Sequence, residues 1–203
     1  VGSEMCIRDS RGGARTTLSR RAVSIRLFTK WAAKRGFIPL DIGATLATPK
    51  PHRTLPGVLT QGDAVTAIDS MATRAAEFDT PTAIRDVAIV ELLYATCARV
   101  SEICGLDFED LDFHRNTIRV LGKGNKERMI PMGAPSVKAL NTYINDARAL
   151  LANEKSERAL FLGARGKRID QRAVRTIVYE ALSALEGVER MGPHALRHSA
   201  ATH

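Results

Sequence analysis

Tyr94-Ala95-Thr96-Cys97-Ala98-Arg99-Val100-Ser101-Glu102-Ile103-Cys104-Gly105-Leu106 is the stretch whose reading decides the rest of the chain. A nearly unbroken apolar run over 87–95 leads into it, interrupted only by Glu91. A lone arginine, Arg99, then opens the next short helix. A buried helix end beside a cationic side chain is a place to hold a phosphate. Two later segments repeat the theme, Gly122-Lys123-Gly124-Asn125-Lys126-Glu127-Arg128 and His194-Ala195-Leu196-Arg197-His198. Arginine, lysine, histidine and arginine would converge on one anion, with the remaining chain as scaffold.

At 203 residues the chain fits one domain of ordinary size plus an appendage. A hydrophobic content of 44% is enough to bury a core. The formal charge of +8 favours a polyanionic partner, nucleic acid first and an anionic membrane surface second. On charge alone, a soluble protein that is merely basic is an equal reading. Lys and Arg are spread along the sequence and form no tail, so the partner would meet a folded surface. The cysteines, Cys6, Cys97 and Cys104, are odd in number and include no C-x-x-C pair. That suits a reducing cytoplasm with no structural zinc. No run of about 18 apolar residues occurs, and the first ten residues lack the apolar centre of a signal peptide.

Residues 1–14 are read as an N-terminal segment outside the fold. A helix is expected over 16–36, with Leu18, Ala22, Ile25, Phe28 and Ala32 at the 3.6-residue period and Gly36 as its C-cap. One such helix cannot bury its own stripe, so it reads as the last helix, 15–38, of a helical domain. Its Arg20, Arg21, Lys30, Lys34 and Arg35 suit a helix lying along a phosphate backbone; a solvated charged face is the plainer alternative. Residues 39–57 are rich in proline and read as a basic linker whose Lys50 and Arg53 would cross DNA.

Thr60-Gln61-Gly62-Asp63 is a capping pattern, and Thr80-Pro81 starts a second, central helix. A short helix follows from about Arg99 to Gly105. The period then changes: 117–121 and 127–131 flank a glycine-rich turn and predict a β-hairpin, with a small first strand within 107–113. One helix is expected from Pro135 to about Ala152, and Ala159-Leu160-Phe161-Leu162 is a short extended piece. Asp170 caps a further helix that Gly187 ends. Pro193 opens a last helix, expected to run to the end of the sequence at His203. The fold class is mainly α with a small antiparallel sheet.

His194 and Arg197 lie three apart, so they share a helix face. Pro193 places them in the first turn, where free N–H groups favour an anion. Arg offers a planar fork to two phosphate oxygens. Lys123 lies between two glycines at a hairpin tip, where a lysine can reach and protonate a leaving-group oxygen. A surface pair and a polar hairpin are the ordinary readings of each motif taken alone.

Together the three motifs resemble the tyrosine recombinases, or phage-integrase family, and within it the Xer-type site-specific recombinases. The family pattern A-T-G-x-R-x-S-E-x-x-x-L matches 95–106, G-K-G-x-K-x-R matches 122–128, and H-x-L-R-H-x-x-A-T-H matches 194–203. The resemblance runs from about Arg15 to His203. It implies that 58–203 is a catalytic domain following a helical core-binding domain, the pair clamping around duplex DNA. Arg99 and Arg197 would hold the scissile phosphate. His194 would assist proton transfer, Lys123 would be the general acid, and Glu102 would support the site. Lys126 and Arg128 would contact DNA alongside the hairpin. A tyrosine would attack the phosphate and form a 3′-phosphotyrosyl link. The resemblance implies no metal and no cofactor. It implies paired recombinase half-sites on double-stranded DNA, a homo- or hetero-tetramer, a cytoplasmic location, no membrane, and a role in chromosome segregation or mobile-element integration.

Two positions depart from the pattern. Cys97 stands where the family has glycine; if that residue needs φ > 0, the strain is about 1–2 kcal/mol. The family's second histidine and nucleophilic tyrosine follow the last motif and are absent from these 203 residues. Tyr94, Tyr143 and Tyr179 are expected in the core or on the surface. A non-catalytic DNA-binding relative is one rival. A type IB topoisomerase is another, disfavoured by the compact spacing of 24 positions from Arg99 to Lys123 and 71 from Lys123 to His194.

Overall fold

A computed structural model describes residues 15–47, 59–122, 124, 126–185 and 191–202. The chain divides into two compact units, Val1–Leu55 and Pro56–His203. The expected segment 1–14, the prolines and basic residues over 48–57, Lys123 and Gly187 lie outside the described residues.

The first unit holds helix α1, Arg15–Lys34. It stops where the sequence places a cap. Gly36 adopts φ +76°, its N–H donates to Ala33 O, and the Phe37 N–H donates to Ala32 O. The chain then turns back. Thr29 Oγ1 donates to Asp41 Oδ1 at 2.7 Å, and Gly43 N–H donates to the same oxygen at 3.1 Å. A Cβ on Gly43 would fall 2.2 Å from Thr29 Oγ1, so only glycine lets the two segments meet. The expected apolar stripe is corrected here. Ala22, Thr29 and Ala32 are buried, whereas Ile25 and Phe28 are exposed. Among the described residues of the unit, cover comes from the short returning segment, which spans a narrow stripe. Phe28, Trp31 and Phe37 stack among themselves instead, with ring centroids 5.9 and 5.4 Å apart.

The second unit begins with α2, Gln61–Phe78, under a capping box in which Thr60 Oγ1 accepts from Asp63 N–H and Asp63 Oδ2 accepts from Thr60 N–H. Thr80 caps α3, Pro81–Thr96, with Pro81 in its first turn. Ala88, Ile89, Val90, Leu92 and Leu93 of α3 are all buried, which makes it the central helix, as its apolar run predicts. After Cys97 comes α4, Val100–Gly105. Three antiparallel strands follow in the order β1, Leu111–Asp112; β2, Thr117–Leu121; and β3, Glu127–Pro131. Ile118 opposes Ile130 and Val120 opposes Arg128. Ile118 and Val120 are buried while Arg119 and Leu121 are exposed, the alternation of a sheet covered on one face. The chain is thus mainly helical with a small antiparallel sheet, as expected, and no described helix is long and apolar enough to cross a membrane.

Where one helix is expected over 135–152, the structure has three parts: α5, Ala134–Thr142; a π-turn, Tyr143–Ala147; and α6, Arg148–Leu151. Residues five apart on an α-helix diverge by about 140°, and the wider turn brings Tyr143 and Arg148 onto one neighbour. Tyr143 is fully buried. Its hydroxyl donates to Leu160 O and accepts from Leu162 N–H, each at 3.1 Å. Arg148 donates to Ala159 O and Leu160 O and lies over the Phe108 ring. The extended piece 159–162 is therefore held by side chains, with single bridges from Asp107 to Ala159 and from Leu162 to Arg168.

Helix α7, Gln171–Ser183, starts at Asp170, whose carboxylate accepts from Ala173 N–H at 2.8 Å. Helix α8, Pro193–Ala200, ends the described fold. The expectation that it runs to His203 is corrected: the helix ends at Ala200, and Thr202 N–H and Oγ1 both turn back to Ser199 O, at 3.0 and 2.7 Å. Ser199 is fully buried, and its Oγ accepts from Leu59 N–H at 2.9 Å.

The Tyr143→Phe variant strips the buried Leu162 N–H of its partner and leaves Leu160 O with Arg148 alone. It is expected to unfold with about 2–3 kcal/mol less stability in urea titrations, with the aromatic stacking on Phe161 kept.

Candidate active site

The site is built from the α3–α4 junction outward. Helix α3 ends at Cys97, which takes φ +49° and ψ 27°, the left-handed conformation. The condition set for strain at this position, φ > 0, is met, and a residue with a side chain adopts it. The turn leaves Arg99 extended as the N-cap of α4, with φ −76° and ψ 150°. Arg99 N–H donates to Glu102 Oε2 at 2.7 Å, and its guanidinium donates to Glu102 Oε1 at 2.9 Å. The Arg99 side chain keeps 54% of its surface exposed, while that of Glu102 keeps 3%.

Arg128 approaches the same carboxylate from β3. Its two terminal nitrogens donate to Glu102 Oε1 and Oε2 at 2.9 and 2.8 Å. Burial alone would raise the Glu102 pKa; the hydrogen bonds from Arg128 and from the Arg99 backbone and side chain outweigh it, and the pKa is lowered. At its far end α4 is tied by Arg168, which donates to Cys104 O at 3.2 Å and Leu106 O at 2.9 Å and pairs with Asp107.

The start of α4, one face of α7 and the start of α8 enclose a cleft of about 800 Å³. Arg99, Arg175, Tyr179, His194 and Arg197 line it. His194 is exposed in the first turn of α8. One terminal nitrogen of Arg197 is buried and has no hydrogen-bond partner. Such a group costs free energy unless a ligand supplies an acceptor. Helices α7 and α8 close tightly at Gly192, where a Cβ would stand 2.7 Å from the Tyr179 ring.

Of the residues singled out in sequence, Arg99, His194 and Arg197 meet in this cleft, and Glu102 stands behind Arg99. Lys126 is exposed beside the hairpin turn. Arg20, Arg21, Lys30, Lys34 and Arg35 are exposed on the first unit. Lys50, Arg53 and Lys123 lie outside the described residues. Gln171, Arg175 and Tyr179 were not anticipated as lining residues. Their spacing of four along α7, in a row beside the buried Val174, Ile177 and Val178, is the signal that marks one helix face. Tyr143 is core and Tyr179 is on the surface, in line with the expectation, and Tyr179 stands in the cleft wall.

The model of the phage integrase family matches residues 58–203. The chain belongs to that family. It is 51% identical over 192 residues to tyrosine recombinase XerC of Mycobacterium tuberculosis, covering 95% of this chain and 64% of the relative. The same figures hold for XerC of Mycobacterium bovis. The chain thus spans a little under two thirds of the length of these relatives. The XerA recombinase structure is 29% identical, with a TM-score of 0.61, over 85% of this chain and 57% of that one. A lambda integrase dimer bound to a COC′ core site shares the fold at 16% identity, with a TM-score of 0.72 over 98% of this chain and 70% of that one.

Two measurements probe the junction. Cys97→Gly relieves the left-handed strain and loosens the unfolded chain, and is expected to be neutral or to raise stability by up to about 1 kcal/mol in urea titrations. The Glu102 carboxyl titrates below an unfolded glutamate's value of about 4.3, so its contribution is complete above that pH and is lost as the pH falls through the lower folded-state value. Glu102→Gln is expected to flatten the acid-side decline of the melting temperature over that window.

Proposed function

We propose that this chain forms part of a site-specific tyrosine recombinase that binds duplex DNA and places one phosphodiester in the cleft between α4 and α8. The observation that carries the reading is the buried, unpartnered nitrogen of Arg197 in a cleft shared with Arg99 and His194. A phosphate would supply its missing acceptor, each charged hydrogen bond contributing about 1.5–3 kcal/mol. Arg99 and Arg197 then hold the non-bridging oxygens and offset the charge that builds as a nucleophile attacks. His194 binds the same group and moves a proton. Lys123 protonates the 5′-oxygen as it leaves. The attacking group is a tyrosine, and cleavage leaves a 3′-phosphotyrosyl link that conserves the bond energy for rejoining. In this reading the nucleophile and the second histidine are supplied from outside these 203 residues, which bind DNA and do not cleave it.

Residues 58–203 would be the catalytic domain, 39–57 a basic linker and 15–38 the last helix of a core-binding domain. The exposed cations of α1, with Lys50, Arg53 and Lys126, would follow the phosphate backbone. XerH bound to difH and a lambda integrase dimer bound to a COC′ core site support a duplex DNA partner; paired half-sites and a tetramer are part of the same proposal. The 51% identity to XerC supports the Xer-type reading; a cytoplasmic role in chromosome segregation or in mobile-element integration belongs to the same proposal.

Fluorescence anisotropy on duplex DNA tests this. Log affinity is expected to fall against log salt with a slope of about −0.9 per phosphate contact. Arg197→Ala is expected to weaken binding about tenfold or more. A nicked duplex run on a denaturing gel should show no covalent adduct. An adduct that Tyr179→Phe abolishes would overturn the assignment and make Tyr179 the nucleophile.

A further inference from the structure

Among the residues read in sequence as DNA contacts, Arg128 is engaged inside the fold. On β3 it alternates with the exposed Glu127 and Met129 and shares the inward face with Ile130. It stands opposite Val120, which is buried. A cation on the covered face of a strand needs a partner there. It has one in Glu102, gripped through both terminal nitrogens. The guanidinium does a second thing. A Cβ added to Gly122 would come 3.1 Å from the Arg128 terminal nitrogen and 3.3 Å from Lys126 O. Gly122 therefore lies flush beneath the guanidinium. Its N–H donates to Lys126 O at 2.8 Å, which closes the mouth of the turn. Lys123 is the next residue in sequence.

We infer that Arg128 is a positioning residue, fixing the base of the turn that carries Lys123 to the same buried carboxylate that holds Arg99. Two groups on separate elements, a helix N-terminus and a hairpin, are thereby registered against one side chain. A displacement of the carboxylate would move both. The importance of Lys123 rests on the reading in the preceding section; the mechanical coupling does not. Lysine at position 128 would keep the charge and lose the fork, because an ammonium is a point charge and cannot bridge both carboxylate oxygens in one plane.

Amide hydrogen exchange on the 203-residue chain, read residue by residue by NMR, tests the coupling. In Arg128→Ala the Gly122 amide is expected to exchange about tenfold faster or more, with the Ile118 amide in the middle of the ladder unchanged. Glu102→Gln should reproduce the effect, and the double variant should add nothing to either single one. Arg128→Lys should fail to restore Gly122; if Arg128→Ala unfolds, this variant carries the test. Faster exchange at Ile118 and Gly122 alike, with a lower unfolding midpoint, would reduce Arg128 to general stability and overturn the inference. Duplex binding separates the remaining case. A positioning residue leaves the salt slope of the wild type intact, whereas a phosphate contact lowers it by about 0.9. A lowered slope with unchanged Gly122 exchange would also overturn the inference. A wild-type chain that does not bind duplex at all would defeat the recombinase reading, while the exchange data would still decide the role of Arg128.

Discussion

A carboxylate with 3% of its surface exposed, Glu102, stands between two guanidinium groups, and the site is arranged around that contact. Alone, such a buried charge would be strongly destabilising. Here it accepts from one backbone N–H and from three guanidinium nitrogens. One negative charge shared by two positive ones leaves a single positive charge uncompensated at the mouth of α4. That residual charge faces the cleft through Arg99, whose side chain is half exposed. The positive end of the α8 helix dipole adds to the same field. The carboxylate therefore stiffens the cations and leaves their attraction for an anion in place.

The supports of this contact are spread widely. Cys97 takes the left-handed turn that separates α3 from α4 and aims Arg99. Arg168 ties the last carbonyls of α4, a helix of six residues that has little stability of its own. The β-hairpin delivers Arg128. The π-turn after α5 lets Tyr143 and Arg148 hold 159–162, which in turn lies against Leu106 through the Leu160 N–H. Each link fixes backbone by a polar side chain that is itself satisfied, the condition under which buried polar networks make a structure specific.

The features legible in sequence are those set by local chemistry. Thr60 with Asp63, Thr80 with Pro81, Asp170 and Pro193 each start the helix they announce, because caps and first-turn prolines act within four residues. The hairpin strands emerge from alternation at the same boundaries. The left-handed residue was legible as a position, since a glycine in a family pattern states a backbone requirement. The π-turn was not, because an apolar stripe tolerates one extra residue without losing its period. The covered face of α1 was misplaced, because which face is buried depends on what packs against it. Arg128 reads as a surface cation by composition; only its alternation with Ile130 hints at an inward side chain. Arg175 and Tyr179 escaped notice because their neighbours in the cleft lie on other helices.

The bond from Leu59 N–H to Ser199 Oγ joins residues 140 positions apart. It pins the approach to α2 to α8, whose Leu196 is buried in the core. During synthesis from the N-terminus, the early helices must wait for α8 before the residues ahead of α2 gain their final partner. Non-local closure of this kind slows folding and lengthens the time for which apolar surface is open to aggregation. Helix α8 thus contributes to the core as well as carrying His194 and Arg197, so a nascent chain that has not yet closed also lacks those two residues of the cleft.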